Sequence, residues 1–221
     1  MPTLNLTVTA NASDVHGASV TNDAGKRPNV GTITDGTILS PGSHGSNDEY
    51  SAGVRFTSVT IPKAATISSA DFSMVADATY SASPNVIDLI VCCQAADNAG
   101  ALATSGSTDL DGATRPGTTA DSTWTVTTMT AGTRYTVSIT SAVQEVINRA
   151  GWASGNAIVV LIDTKATCTL GEWNDFRAFN HASGGTTGGA HLDIVYTTGG
   201  ATKAPPPFSD TQRVWRRFRR F

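Results

Sequence analysis

The stretch Arg134–Thr164, RYTVSITSAVQEVINRAGWASGNAIVVLIDT, decides how this chain is read. Tyr135, Val137 and Ile139 alternate with Thr136, Ser138 and Thr140, the period-2 pattern of a strand with one buried face. The period then changes. Val143, Val146 and Ile147 have helical spacing, and Ser141 with Gln144 has the spacing of a capping box, which predicts one short helix near 141–149. Gly151 is placed to take the left-handed conformation of a C-terminal cap, leaving Trp152 to pack back. Gly155-Asn156 turns the chain into Ala157–Ile162, an unbroken apolar run suited to a strand covered on both faces. A short helix is thus expected to close one end of a sheet.

Outward from this stretch the chain reads almost entirely as strands and turns. Leu4, Leu6, Val8 and Ala10 form a first strand, and Asn11–Gly17 a polar turn. Thr32–Leu39 is one strand or two short ones about Asp35-Gly36, and Ser40–Glu49 is a loop by composition. Tyr50, Ala52, Val54 and Phe56 alternate inward, as do Ala70, Phe72, Met74 and Ala76, with Val59 and Ile61 between the two sets. Val86–Cys93 is apolar on both faces apart from Asp88, the mark of a central strand. Ala95–Asp121 is expected to be a long surface connection, followed by a strand carrying Trp124 and Val126. Strands near Thr167–Leu170 and Arg177–Asn180, a turn at Gly184–Gly189, and a strand with Leu192, Ile194 and Tyr196 complete the body.

Composition agrees with that reading. Only 15% of the 221 residues are charged, and Thr, Ser, Ala, Gly and Val dominate, which favours strands over long helices. No window approaches a membrane-spanning apolar length, and MPTLNLTVTA lacks the basic and hydrophobic regions of a signal peptide, so neither is expected. Three cysteines cannot complete a disulfide framework. Cys92 and Cys93 are neighbours in one strand, point to opposite faces, and read as small buried residues, while Cys168 stands alone.

Regular strands punctuated by Gly and Pro, with one short helix, predict an all-β fold: an antiparallel β-sandwich, of jelly-roll type, over residues 1–198, followed by a C-terminal arm over 199–221. The blocks AGVRFTSVTIPKAATISSADFSM (52–74), CQAADNAG (93–100), SAVQEVINRAGWASGNAIVVLI (141–162) and HLDIVYTT (191–198) resemble, in order and spacing, a jelly-roll module of bacteriophage virion proteins and bacterial surface proteins. The module is similar in outline to carbohydrate-binding β-sandwich modules. The resemblance covers roughly residues 4–197 and implies a capsid decoration, cement or tail-associated role; trimers are common among the accessory capsid proteins it resembles, and a homo-oligomer is the expectation here.

The residues offer little catalytic chemistry. Asp14 with His16, and His191 with Asp193, are local i, i+2 pairs without an identifiable nucleophile, and no Gly-x-Ser-x-Gly turn occurs near them. Glu172 and Asp175 could serve as a glycosidase pair only at a suitable separation. Asp109-Leu110-Asp111-Gly112 has the opening spacing of a calcium loop but lacks its later Glu, and the His residues are scattered, so no metal or cofactor is expected. A structural Ca²⁺ held by loop carboxylates is the alternative implied by the likeness to carbohydrate-binding modules. Tyr50 and Trp173 are the candidate glycan contacts, whereas Trp124 and Trp152 lie in patterned segments and read as core.

The chain end carries the sharpest signal. Residues 201–221 hold six basic residues against Asp210, a charge of +5, so residues 1–200 carry −8 of the chain's −3. Ala204–Pro207 is a stiff spacer; beyond it, Val214, Trp215, Phe218 and Phe221 gather on one side of a helical wheel, with Arg216, Arg217, Arg219 and Arg220 on the other. Phe208, Arg213 and these eight residues make the predicted docking arm. A segment this short orders only when docked, and its large aromatics suit a shaped protein pocket better than packaged DNA or a membrane. Its expected host is the major capsid protein or another virion protein. The resulting expectation is a non-enzymatic virion protein, made in the host cytoplasm, that decorates and stabilises the head shell; a tail or fibre-associated carbohydrate-binding adhesin is the alternative.

Overall fold

The computed structural model describes residues 1–8, 14–19, 30–34, 37–43, 49–81, 87–103, 110, 112, 114–169 and 171–198, with the backbone path alone for 14–19, 30–34 and 81. The docking arm, Asp109, Asp111 and the side chains of Asp14 and His16 lie outside them. In chain order the elements are β1 (Thr3–Thr7), β2 (Asp14–Ser19), β3 (Val30–Thr34), β4 (Ile38–Leu39), β5 (Gly42–Ser43), β6 (Glu49–Phe56), β7 (Thr66–Val75), β8 (Tyr80–Ser81), β9 (Ile87–Gln94), β10 (Gly117–Val126), β11 (Thr128–Met129), β12 (Arg134–Ser138), α1 (Thr140–Ile147), β13 (Ile158–Thr164), β14 (Phe176–Arg177), α2 (Gly185–Gly188) and β15 (His191–Thr197).

These strands build an antiparallel sandwich. One sheet has the order β1-β15-β7-β12, and the other β10-β9-β13-β6-β2-β3 with β5 added beside β6. The pairing is nested: β1 lies against β15, β6 against β13, β7 against β12, and β9 against β10, so early strands meet late ones and middle strands meet each other. Alternation puts Ala70, Phe72, Met74, Leu192 and Ile194 of the first sheet against Ala52, Val54, Phe56, Leu89, Val91, Val160 and Ile162 of the second, all buried in one core. Phe72 bridges the sheets, meeting Phe56 edge-on at 6.3 Å and Trp124 at 6.5 Å.

The central strand β13 is covered on both faces, as its apolar run predicts, and its second face corrects one expectation. The connection after β9 does not simply lie on the surface. Ala99, Leu102 and Leu110 fold back over Val159, Leu161 and Cys92 to form a second buried cluster. Cys93 belongs to the main core instead, so the adjacent cysteines do face opposite ways. Gly53 makes this possible, because a Cβ there would come within 2.7 Å of Leu110 Cδ2.

The helix forms where the period changes, but its ends are built otherwise than expected. Its N-cap is Ile139 with no side-chain cap bond, and Ser141 lies inside the first turn. Gln144 is turned to the sheet edge, where its Oε1 accepts from the Ile67 amide at 2.7 Å and its Nε2 donates to the Ala65 carbonyl at 3.1 Å. Gly151 is not left-handed; it packs against the Asp97 carboxylate, which pairs with Arg149 at 2.8 Å and would have to shift to admit a Cβ there. Trp152 packs back as expected and donates its indole N–H to the Ile61 carbonyl at 3.0 Å. Glu145 accepts from the consecutive amides of Thr119 and Ala120, both at 2.9 Å, where the β10/β9 register slips between Gly117 and Asp121.

Smaller differences share one cause. Asp14–Gly17, expected in a turn, belongs to β2, and Gly42–Ser43 in the expected loop forms β5. Thr167–Thr169 is turn where a strand was expected, the strand near Arg177 is β14 at Phe176–Arg177, and Gly184–Gly189 contains the one-turn helix α2, a second helix. Elements this short are held by neighbours far away in sequence, so local pattern does not specify them.

Candidate functional site

At one end of the sandwich four connections converge: those between β1 and β6, β7 and β9, β10 and β12, and β13 and β15. Small pairings tie them together. β4 pairs with β14, β8 with β11, Ala76 bridges Phe176, and Gly42 bridges Trp173. This end is therefore a laced rim, and both expected glycan contacts lie on it.

Side chains lace it further. Ser40 Oγ donates to Asp175 Oδ1 at 2.6 Å, and the Tyr80 hydroxyl donates to Glu172 Oε2 at 2.8 Å. Burial first, and then the bond to Glu172, push the Tyr80 hydroxyl well above its ordinary range, so it stays a donor. Asp77 Oδ1 receives Arg177 Nε at 3.1 Å and lies 3.2 Å from His181 Nε2. His181 Nδ1 accepts the Ser183 amide at 3.0 Å, which assigns the ring proton of the neutral form to Nε2 and occupies both nitrogens. Below the rim, Asp88 accepts from Thr125 at 2.6 Å and Thr167 at 2.5 Å. Burial works against its charge, but those two hydroxyls and the Lys165 ammonium more than offset it and hold the carboxyl below its usual value. Glu49, 7% exposed, is pushed up by burial.

Glu172 and Asp175 are thus each engaged by a hydroxyl of the protein itself. His191 and Asp193 share the outer face of the first sheet, where His191 Nε2 lies 2.8 Å from the Thr186 carbonyl and Asp193 stands in register with Asp71. Among the described residues no group of three or more His, Cys, Asp or Glu is placed to hold a metal ion. Leu110, from the calcium-like spacing, is a fully buried packing residue. Among the described residues no helix is long and apolar enough to cross a membrane.

Trp124 and Trp152 are core, at 7% and 3% exposure, whereas Trp173, at 39%, is the most exposed aromatic side chain among the described residues. Tyr50 is half-buried at the start of β6. The structure brings the two together through a residue that sequence reasoning missed. Gly42 is in register with Tyr50 on one side and with Trp173 on the other, and Ser43 N–H donates to the Glu172 carbonyl at 3.0 Å. Gly42 has φ +135°, and a Cβ there would come within 2.8 Å of Trp173 Cα and Cβ. A Pro-Gly pair in a polar loop, Pro41-Gly42, gives no sign that it will separate two aromatics. No protein-family model matches the chain, and no curated protein matches it in sequence.

Proposed function

We propose that this protein is a non-enzymatic structural component of a bacteriophage virion, a decoration or cement protein whose body is a jelly roll and whose C-terminal arm docks on the head shell. The nested pairing of eight principal strands, first with last and inward to the β9/β10 pair, supports the jelly-roll reading. The observation that carries the functional reading is the division of charge and aromatic content: a body of −8 and a terminal segment of +5 with Trp215, Phe218 and Phe221 among its arginines. Such a segment gains by burying its aromatics in a groove with an acidic border, a helix-in-groove mode of attachment. The partner is the major capsid protein or a neighbouring virion protein, and a homo-oligomeric body multiplies weak arms into firm attachment. The internal engagement of Asp175, Glu172, Asp77 and His181 supports a binding body over a catalytic one.

The test is a chain ending at Thr198, mixed with heads of the cognate phage assembled without this protein. It is expected to keep its fold by circular dichroism and to lose head binding; undiminished binding overturns the role of the arm. Salt separates partners: a phosphate-binding arm loses affinity steeply with ionic strength, a pocketed aromatic arm much less.

A further inference from the structure

The sheet edge formed by β1 is open where two other edges are closed. Along β10 the amides of Thr119 and Ala120 are capped by Glu145, and along β12 the Ser138 carbonyl accepts from Ser122 Oγ at 2.6 Å. β1 stands at the end of its sheet, and among the described residues nothing pairs with its outer side. The backbone bonds identify the groups on that side. Tyr196 N–H donates to the Pro2 carbonyl at 3.1 Å and Val8 N–H to the Ala190 carbonyl at 3.3 Å; bonded and non-bonded pairs alternate along antiparallel strands, so Pro2, Leu4, Leu6 and Val8 turn their backbone groups to β15. Thr3, Asn5 and Thr7 turn theirs to the open side, a C=O and an N–H each.

We propose that β1 is the seam of a two-fold dimer, in which it pairs antiparallel with β1 of a second copy and joins two four-stranded sheets into one. The strand's own sequence selects this occupant. Thr3-Leu4-Asn5-Leu6-Thr7 reads the same in both directions, so a two-fold axis at Asn5 sets Thr3 opposite Thr7, Leu4 opposite Leu6, and Asn5 opposite its copy. That register also puts Thr3, Asn5 and Thr7 in bonded pairs, which satisfies every open backbone group of the strand at once. On the inner face Leu4 and Leu6, half-buried against the core, meet across the axis and cover one another's open flank. On the outer face only uncharged side chains come together. Edges kept solitary carry a lysine, a bulge or an inward charge, and β1 has none of these. A foreign strand could make the same backbone bonds but would gain nothing from the palindrome.

The inference gives the homo-oligomer of the proposed function a symmetry and an interface. It stands on the body alone and is tested without a head shell, so the two readings fail separately. A seam of one short strand per copy is small, and weak association is expected. Sedimentation velocity of the full-length protein from micromolar to millimolar concentration is expected to show a monomer–dimer equilibrium that closes at two copies. Asn5→Lys sets two like charges opposite each other at the axis, while within its own sheet it meets Asp193 in register; it is expected to keep the fold by circular dichroism and to weaken dimerisation at least tenfold. Asn5→Cys reports the register. Bonded partners stand about 5.5 Å apart at Cα, within disulfide reach, and the native cysteines are buried, so mild oxidation is expected to link two copies through this position, with Thr197→Cys staying unlinked as the control. A monomer at millimolar concentration, or a trimer, overturns the inference. So does a dimer indifferent to Asn5→Lys, and so does one that Asn5→Cys cannot link, the pattern of an exchange of β1 between copies in which Asn5 faces Asp193 instead of its own counterpart.

Discussion

Replacing Gly53 by Ala, alone and together with Leu110→Ala, tests whether the connection after β9 is a structural cover. Leu110 is fully buried, and a Cβ at position 53 would lie 2.7 Å from its Cδ2 and 3.4 Å from Leu102 Cδ2. Leu110→Ala removes a buried side chain from a site that can partly collapse, which puts the loss near the lower end of such substitutions, about 2–3 kcal/mol. Gly53→Ala forces Leu110 to move, an overpacking cost of about 1–3 kcal/mol, offset by about 0.4–1 kcal/mol from the stiffer unfolded chain. Once Leu110 is trimmed the clash disappears and the added methyl fills part of the space. The double variant is therefore expected to be no less stable than Leu110→Ala alone, a favourable coupling of about 1–2 kcal/mol. Equilibrium urea unfolding of the four proteins measures it, with faster thiol labelling of Cys92 in Leu110→Ala as a second readout of an opened cover. Additivity of the two losses within about 0.5 kcal/mol refutes the idea that Gly53 is there to seat Leu110.

Two carboxyls should tilt the pH dependence in opposite directions. Asp88 has a folded value below its ordinary 3.8, so its contribution is present above 3.8 and is lost as pH falls through the lower folded value. Asp88→Asn is expected to lower stability at neutral pH and to flatten the acid limb below 3.8 in urea midpoints taken at successive pH values; an unchanged limb counts against the Thr125–Asp88–Thr167 contact. Glu49 has a folded value above its ordinary 4.5, so stability is fully present below 4.5 and is lost as pH rises towards the folded value. Glu49→Gln is expected to remove that decline and to equal or exceed the parent at neutral pH; a clear loss of stability there shows instead that the carboxylate form is needed.

The sandwich was legible because its long strands carry their own pattern. Ala52, Val54 and Phe56, like Ala70, Phe72 and Met74, announce a buried face by alternation, and Ile158–Ile162 announces burial on two faces by having no polar residue. The helix was legible by its period but not by its ends. Gln144 has the capping spacing, yet the amide of Ile67 and the carbonyl of Ala65, some eighty residues upstream, offer it better partners. Gly151 has the position of a left-handed cap, yet it is not left-handed and lies against the side chain of Asp97, over fifty residues upstream. Leu102 and Leu110 have no neighbours in pattern, so a polar connection concealed a second core. For the site, Trp173 and Tyr50 could be nominated as aromatics, but that they flank one glycine depends on the bridge from Gly42 to Trp173, across more than a hundred residues of chain.

The outermost pairing places Thr3 opposite Val195. During synthesis β1 emerges long before β15, its neighbour in the sheet among the described residues, which follows some 190 residues later. At ordinary elongation speeds that is a wait of roughly 10–40 s. Throughout it, β1 waits for the strand it pairs with, and after it β15 must find β1 before a second nascent copy supplies its own. The order of synthesis thus makes this seam a place where two chains can exchange strands.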